Sequence, residues 1–298
     1  MNGMRSTIVA LLLLVCFGSS ADAQLLWRVD GNGLKSPSYI LGTHHLAPFS
    51  VLDSIAGIRE AMKNTTQVVG ELVMTDAQKP ESVELMQKMM VAQGDTTLQM
   101  LLTPEEYSMV NAATNEYLNF DIGTMPRVKP SFIENNLTVM MYAKLIGGYN
   151  PADQLDAYFQ SFAVRHGRKV VGLETPEFQF GLLYNSQSLK RPAELLVCLL
   201  RNVDRTMDDA RRLNSLYMHQ DLDGMLSLSE HIEGDSCDPL PAETDIMVGH
   251  RNVDWAEKLP SIMAEEPALI VVGALHLPGE QGLLSLLRAK GYSVKPMK

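Results

Sequence analysis

The sequence predicts an α/β fold: a central mixed sheet built from N- and C-terminal segments, with a large helical middle region covering it. Three observations carry this. Short apolar runs of strand length stand near both ends of the chain. The long stretches between them carry helix start and stop signals. No Pro/Gly/Ser-rich linker divides the sequence, so residues 24–298 read as one domain, with helical insertions at about 80–165 and 176–260.

Residues 1–23 read as a secretory signal peptide. Arg5 is followed by the apolar run Ile8–Phe17, and Ala21-Asp22-Ala23 supplies a small-x-small cleavage pattern. The run falls short of the ~20 residues that a spanning helix needs. The expected mature chain starts at Gln24 and is periplasmic or secreted, with no membrane anchor after cleavage.

Five further segments read as strands: Leu26–Val29, Tyr39–Leu41, Gln67–Val73, Lys169–Leu173 and Leu269–Val272. A sixth, Tyr292–Lys295, closes the chain. Among the helices, Thr103-Pro104-Glu105-Glu106 has a capping Thr, a first-turn Pro and a Glu three residues on. Asn150-Pro151-Ala152-Asp153 opens a helix through about His166, ended by Gly167. Thr175-Pro176-Glu177 opens another directly after a strand. Glu280 to Lys290 is a leucine-faced helix stopped by Gly291. The stretch Glu233–Ala242 is loop-like. The methionines, including Met89-Met90 and Met140-Met141, read as flexible core filling rather than copper ligands.

Composition narrows the function classes. The formal net charge is −10, and cleavage removes Arg5 together with Asp22, so the balance does not change. No basic run is present, which argues against nucleic acid and anionic lipid surfaces. Cys198 and Cys237 lie outside any zinc pattern. In an oxidising compartment they could pair; spacing alone leaves pairing and two separate thiols open.

Two segments at opposite ends repeat one pattern. Tyr39-Ile40-Leu41-Gly42-Thr43-His44-His45-Leu46 is a strand running into Gly-x-x-His-Leu, and Leu269-Ile270-Val271-Val272-Gly273-Ala274-Leu275-His276-Leu277 does the same. Each His then stands at the C-terminal edge of its strand, where open α/β sheets bind ligands. Two imidazoles delivered this way could converge on one metal ion or one substrate. His44 points the opposite way from His45 in an extended segment. Glu71 stands within or at the end of an apolar strand, where a charge is costly unless paired or metal-bound. Glu174 stands at a strand-to-helix junction, where helix-end electrostatics alone could also explain it. Arg251 could stabilise a substrate carboxylate or oxyanion, or pair with Glu71. His250 is a reserve ligand, while His166, His219 and His231 read as surface residues and Trp27 and Trp255 as packing. No Gly-x-Ser-x-Gly elbow is present, which disfavours a serine hydrolase.

These elements, in this order, resemble the TraB/PrgY/GumN family, which includes the animal Tiki metalloproteases. The resemblance rests on Gly42-Thr43-His44-His45-Leu46, Glu71, Val171-Gly172-Leu173-Glu174-Thr175 with Gln179, Arg251-Asn252, and Gly273 to Gly279 with Gly282-Leu283-Leu284 and Gly291-Tyr292. It spans about Leu26 to Lys295. One departure is Glu71-Leu72-Val73, where the family often has Glu-x-Asp. The resemblance implies a divalent-metal-dependent hydrolase of peptide or amide bonds, acting on a peptide or small-molecule substrate. It also implies a fold like that of erythromycin-esterase-like hydrolases. His45, Glu71 and His276 would hold one ion (Mn, Co, Zn or Fe), with Glu174 as partner or general base and Arg251 beside it. Two alternatives stay open: a non-enzymatic binder of a peptide or signal molecule, and a metal-free esterase-like hydrolase with His45 as general base.

Overall fold

The computed structural model describes residues 24–146 and 154–298. The expected signal peptide and the Asn150–Asp153 helix start lie outside these residues.

All six expected segments form strands of one mixed sheet, ordered β4-β3-β5-β2-β1-β6. They are β1 (Leu26–Asp30), β2 (Ser38–Thr43), β3 (Gln67–Gly70), β4 (Lys169–Gly172), β5 (Ala268–Gly273) and β6 (Ser293–Pro296). β4, β3, β5 and β2 run parallel to one another. β1 is antiparallel to both β2 and β6. The sheet is therefore assembled from both chain ends, and β5 inserts between β2 and β3. β2 and β3 are buried along their whole length and β5 along nearly all of it, so both faces are covered.

β3 is shorter than expected. It stops at Gly70 rather than Val73, so of the two expected places Glu71 takes the one at the strand's end, its carbonyl still accepting from Glu174 N at 2.8 Å. The cause is Gln160, whose Nε2 stands 2.6 Å from where a Gly70 Cβ would lie. The Gln160 amide donates to Leu72 O at 2.7 Å and accepts from Met74 N at 2.9 Å, drawing the chain off the sheet edge.

The helical middle divides between two cores. The Leu155–Arg165 helix packs on β3, β4 and β5, and its Phe159 and Ala163 belong to the same sheet core as Trp255 and Leu259 of the His250–Glu265 helix. A second core joins the Pro104–Ala113, Pro130–Ile146 and Lys190–Arg201 helices through Val110, Ile133, Leu137 and Leu196. Thr103 and Glu106 form the expected capping box. The last helix starts at Leu283 rather than Glu280, because Gly279 adopts φ +84° and forms a turn with Gly282 first. Cys198 and Cys237 form a disulfide, which ties the 230–240 loop to the Lys190–Arg201 helix.

Candidate functional site

The four parallel strands end together: Gly70 pairs with Gly172 and Val271, and Thr43 with Gly273. The residues just beyond them are Glu174, Glu71, His276 and His45, in the spatial order of β4, β3, β5 and β2. The two Gly-x-x-His segments leave the sheet one residue out of step, because Gly42 pairs with Val272 and Gly273 with Thr43. Gly42 lets the two loops meet: a Cβ there would stand 3.0 Å from Ala274 Cα.

His45 is held by Asp156, the second residue of the Leu155–Arg165 helix. Its Nδ1 lies 3.0 Å from Asp156 Oδ2. The Thr43 hydroxyl lies 3.2 Å from Asp156 Oδ1 and 3.2 Å from Val272 O, so its one proton serves one of them at a time. Asp156 is buried, while the His45 side chain keeps 58% of its exposure. The negative charge of Asp156 outweighs desolvation and raises the His45 pKa to about 9. Nδ1–H then faces the carboxylate, and Nε2 keeps its own proton until the pH approaches 9 or a ligand displaces it.

His276 is oriented in the same manner by a neutral partner. Its Nδ1 lies 2.7 Å from Asn252 Oδ1, and Asn252 Nδ2 donates to Gln281 O at 2.9 Å. That amide orientation makes Oδ1 an acceptor, so Nδ1 carries the His276 proton and Nε2 a lone pair. Burial lowers the His276 pKa to about 4, helped by the charges of Arg251 and His45. The imidazole is neutral at physiological pH.

Arg251 connects the histidine to both glutamates. Nε donates to Glu174 Oε1 at 2.7 Å, and Nη2 donates to Glu174 Oε2 at 2.8 Å and to Glu71 Oε2 at 2.6 Å. Nη1 donates to Met247 O at 3.0 Å and meets His276 Nε2 at 3.1 Å. All five guanidinium protons thus have an acceptor. Glu71 Oε1 accepts from Gly273 N at 2.8 Å and lies 3.9 Å from His276 Nε2. Burial opposes ionisation of Glu71, but the charges of His276, Arg251 and His45 overcome it and hold the carboxyl below the usual range. Because His276 is neutral above about 4, the permanent cation in that balance is Arg251. Glu174, only 3% exposed, also accepts from Trp255 Nε1 at 3.0 Å and Gln179 Nε2 at 2.9 Å.

Every residue expected at the site is therefore at this sheet edge. Arg251 pairs with both glutamates rather than standing free for substrate. His44 turns away between Tyr142 and Tyr217, each 5.5 Å from its ring. His250 faces outward and pairs with Asp245. Sequence reasoning missed Asp156. Trp255 packs in the core as expected, and its indole also donates to Glu174 and lies 4.4 Å from the His276 ring. A helix-spaced set, Arg251, Asn252 and Trp255, was the available signal.

The donor chemistry suits a divalent cation. Two imidazoles and a carboxylate match Mn, Co, Zn or Fe. A hydrogen-bonded Nδ1 is also the outer-shell arrangement that orients metal-ligating histidines. Among the described residues no three His, Cys, Asp or Glu side chains stand at metal-holding spacing. Arg251 Nη1 and Nη2 instead occupy the His276 lone pair and Glu71 Oε2. Ion binding here requires Arg251 Nη1 to release His276 Nε2.

Residues 25–296 match the model of the TraB/PrgY/gumN family. No curated protein and no solved structure matches the chain.

Proposed function

The chain belongs to the TraB/PrgY/gumN family, and from that premise we propose an exported, divalent-metal-dependent hydrolase of peptide or amide bonds. One observation carries the proposal: two strand-end histidines each have Nδ1 fixed by a buried oxygen, and His276 Nε2, once Arg251 Nη1 releases it, faces Glu71. His45, His276 and Glu71 would hold the ion. When bound, it supplies Lewis acidity that polarises a carbonyl and acidifies water.

The protein's own groups do the remaining work. Asp156 keeps the His45 ring in one tautomer and orientation. Arg251 ties the two glutamates together and offsets one of their two negative charges, so the group beside the site keeps a net negative charge that favours a cation. Glu174 serves as its holding partner, because both its oxygens are spoken for and it has little access to water. The Cys198–Cys237 disulfide supports export, since disulfides persist in oxidising compartments.

A second reading has its own observation. His276 Nε2 already accepts from Arg251, which leaves His45 with Asp156 as the accessible acid–base pair. That arrangement supports metal-free hydrolysis. Turnover of an unstructured peptide mixture by residues 24–298 separates the readings. The metal-dependent reading predicts cleavage that chelation stops and added metal restores, and that His45→Ala lacks. Cleavage indifferent to chelation would transfer the assignment to the metal-free pair. Peptide capture without cleavage would make the protein a binder.

A further inference from the structure

A cavity of about 660 Å³ opens beside the site between the Pro176–Asn185 and His250–Glu265 helices. Arg251 is part of its lining, so it adjoins the network that joins both glutamates and His276. Phe178, Gly181, Leu182 and Ile246 supply apolar walls. Phe178 remains 49% exposed, although the helix buries Phe180.

Gly181 gives this cavity its meaning. It lies inside a helix, where glycine is destabilising by about 1 kcal/mol relative to alanine. Its backbone does not require glycine, because its φ is not positive. Packing does not require it either, since a Cβ there would meet nothing within 4 Å. What the missing side chain leaves is open volume in the cavity.

The charged groups at the mouth are largely spent within the protein. Lys258 pairs with Asp254 at 2.5 Å and donates to Leu173 O at 2.8 Å. His250 pairs with Asp245 at 3.0 Å. Glu177 adds negative charge. An acidic group is therefore disfavoured, and the apolar walls suit an uncharged one.

We propose that this cavity is a substrate subsite that takes a bulky, uncharged apolar side chain from the residue flanking the scissile carbonyl. The inference rests on the hydrolase reading for the word substrate, but its test is a binding measurement that needs no turnover.

The probes are N-acetyl-phenylalaninamide, N-acetyl-alaninamide and N-acetyl-aspartamide, titrated into residues 24–298 by ligand-observed NMR. The phenylalanine probe should bind about tenfold or more tightly than the other two, a ratio within the reach of an apolar pocket. Gly181→Leu fills the volume and should remove that preference. Gly181→Ala should melt at the same temperature as the wild type or higher, which checks that the helix tolerates a side chain. Phe178→Ala, at an exposed position, should weaken the phenylalanine probe without unfolding the protein. Equal or absent binding of the three probes, or an unchanged preference in both Gly181→Leu and Phe178→Ala, would overturn the subsite. Apolar preference without hydrolysis would sink the hydrolase reading alone.

Discussion

Arg251→Met should destabilise the fold by about 3–5 kcal/mol, the range for breaking a buried ion pair from one side. The guanidinium is 7% exposed and joins two buried carboxylates. Without it, Glu71 and Glu174 face each other with no cation between them, and Met247 O and His276 Nε2 lose their donor. The size of the effect depends on pH, with a definite sign. In the wild type the Glu71 pKa is lowered, so its contribution is present above the unfolded carboxylate range and lost as pH falls through the folded value. In the variant Glu71 loses the Arg251 charge that offset its burial, and the folded state favours its protonated form. The gap between variant and wild type should therefore be widest at neutral pH and narrow towards pH ~4. Adding Glu71→Gln to Arg251→Met should recover part of the loss at neutral pH. Chemical denaturation across pH checks this. A variant as stable as wild type at pH ~7 would mean that the network does not hold the site together.

Asp156→Asn should weaken metal binding about 10–100-fold while leaving the fold intact, the effect typical of losing an outer-shell partner. The asparagine keeps the shape, but its amide cannot supply the charge that holds the His45 proton on Nδ1. Titration of the metal-free protein reports this independently. The wild-type imidazole should titrate near 9, raised by Asp156, and the variant should titrate closer to an ordinary histidine. The linked stability has a direction. A raised histidine pKa stabilises the fold fully below the unfolded value of ~6.5, and the gain disappears as pH rises through about 9. Asp156→Asn should therefore lie below wild type in stability at pH ~6 and converge with it above the folded pKa. The exposure of His45 limits how large that difference is. Metal must also displace the second His45 proton, so wild-type affinity should rise with pH over the same window. An imidazole that titrates identically in the two proteins would remove Asp156 from the site.

What the sequence made legible follows from what local pattern encodes. Six apolar runs of strand length gave six strands, and the matching Gly-to-His spacing gave two histidines at one sheet edge. Arg251-Asn252 and Glu174 were visible as isolated signals. Their partnership was not, because Arg251 and Glu71 lie 180 residues apart and no spacing encodes that contact. Asp156 was hidden for the same reason, 111 residues from His45 on a helix whose face is otherwise read as core. The end of β3 was misplaced because a side chain from another element, Gln160, sets it rather than any residue within the run. Trp255 looked like packing because burial and polar bonding coexist in an indole: the ring fills the core while Nε1–H reaches Glu174.

The central claim is that His45 and His276 serve one ion. Its most direct test is metal content of residues 24–298 after loading with Mn, Co, Zn and Fe, beside the His45→Ala/His276→Ala double variant with its fold checked by circular dichroism. The account predicts close to one ion per chain in the wild type and none in the folded variant. An equal ion content in the two proteins, or none above background in either, would contradict it.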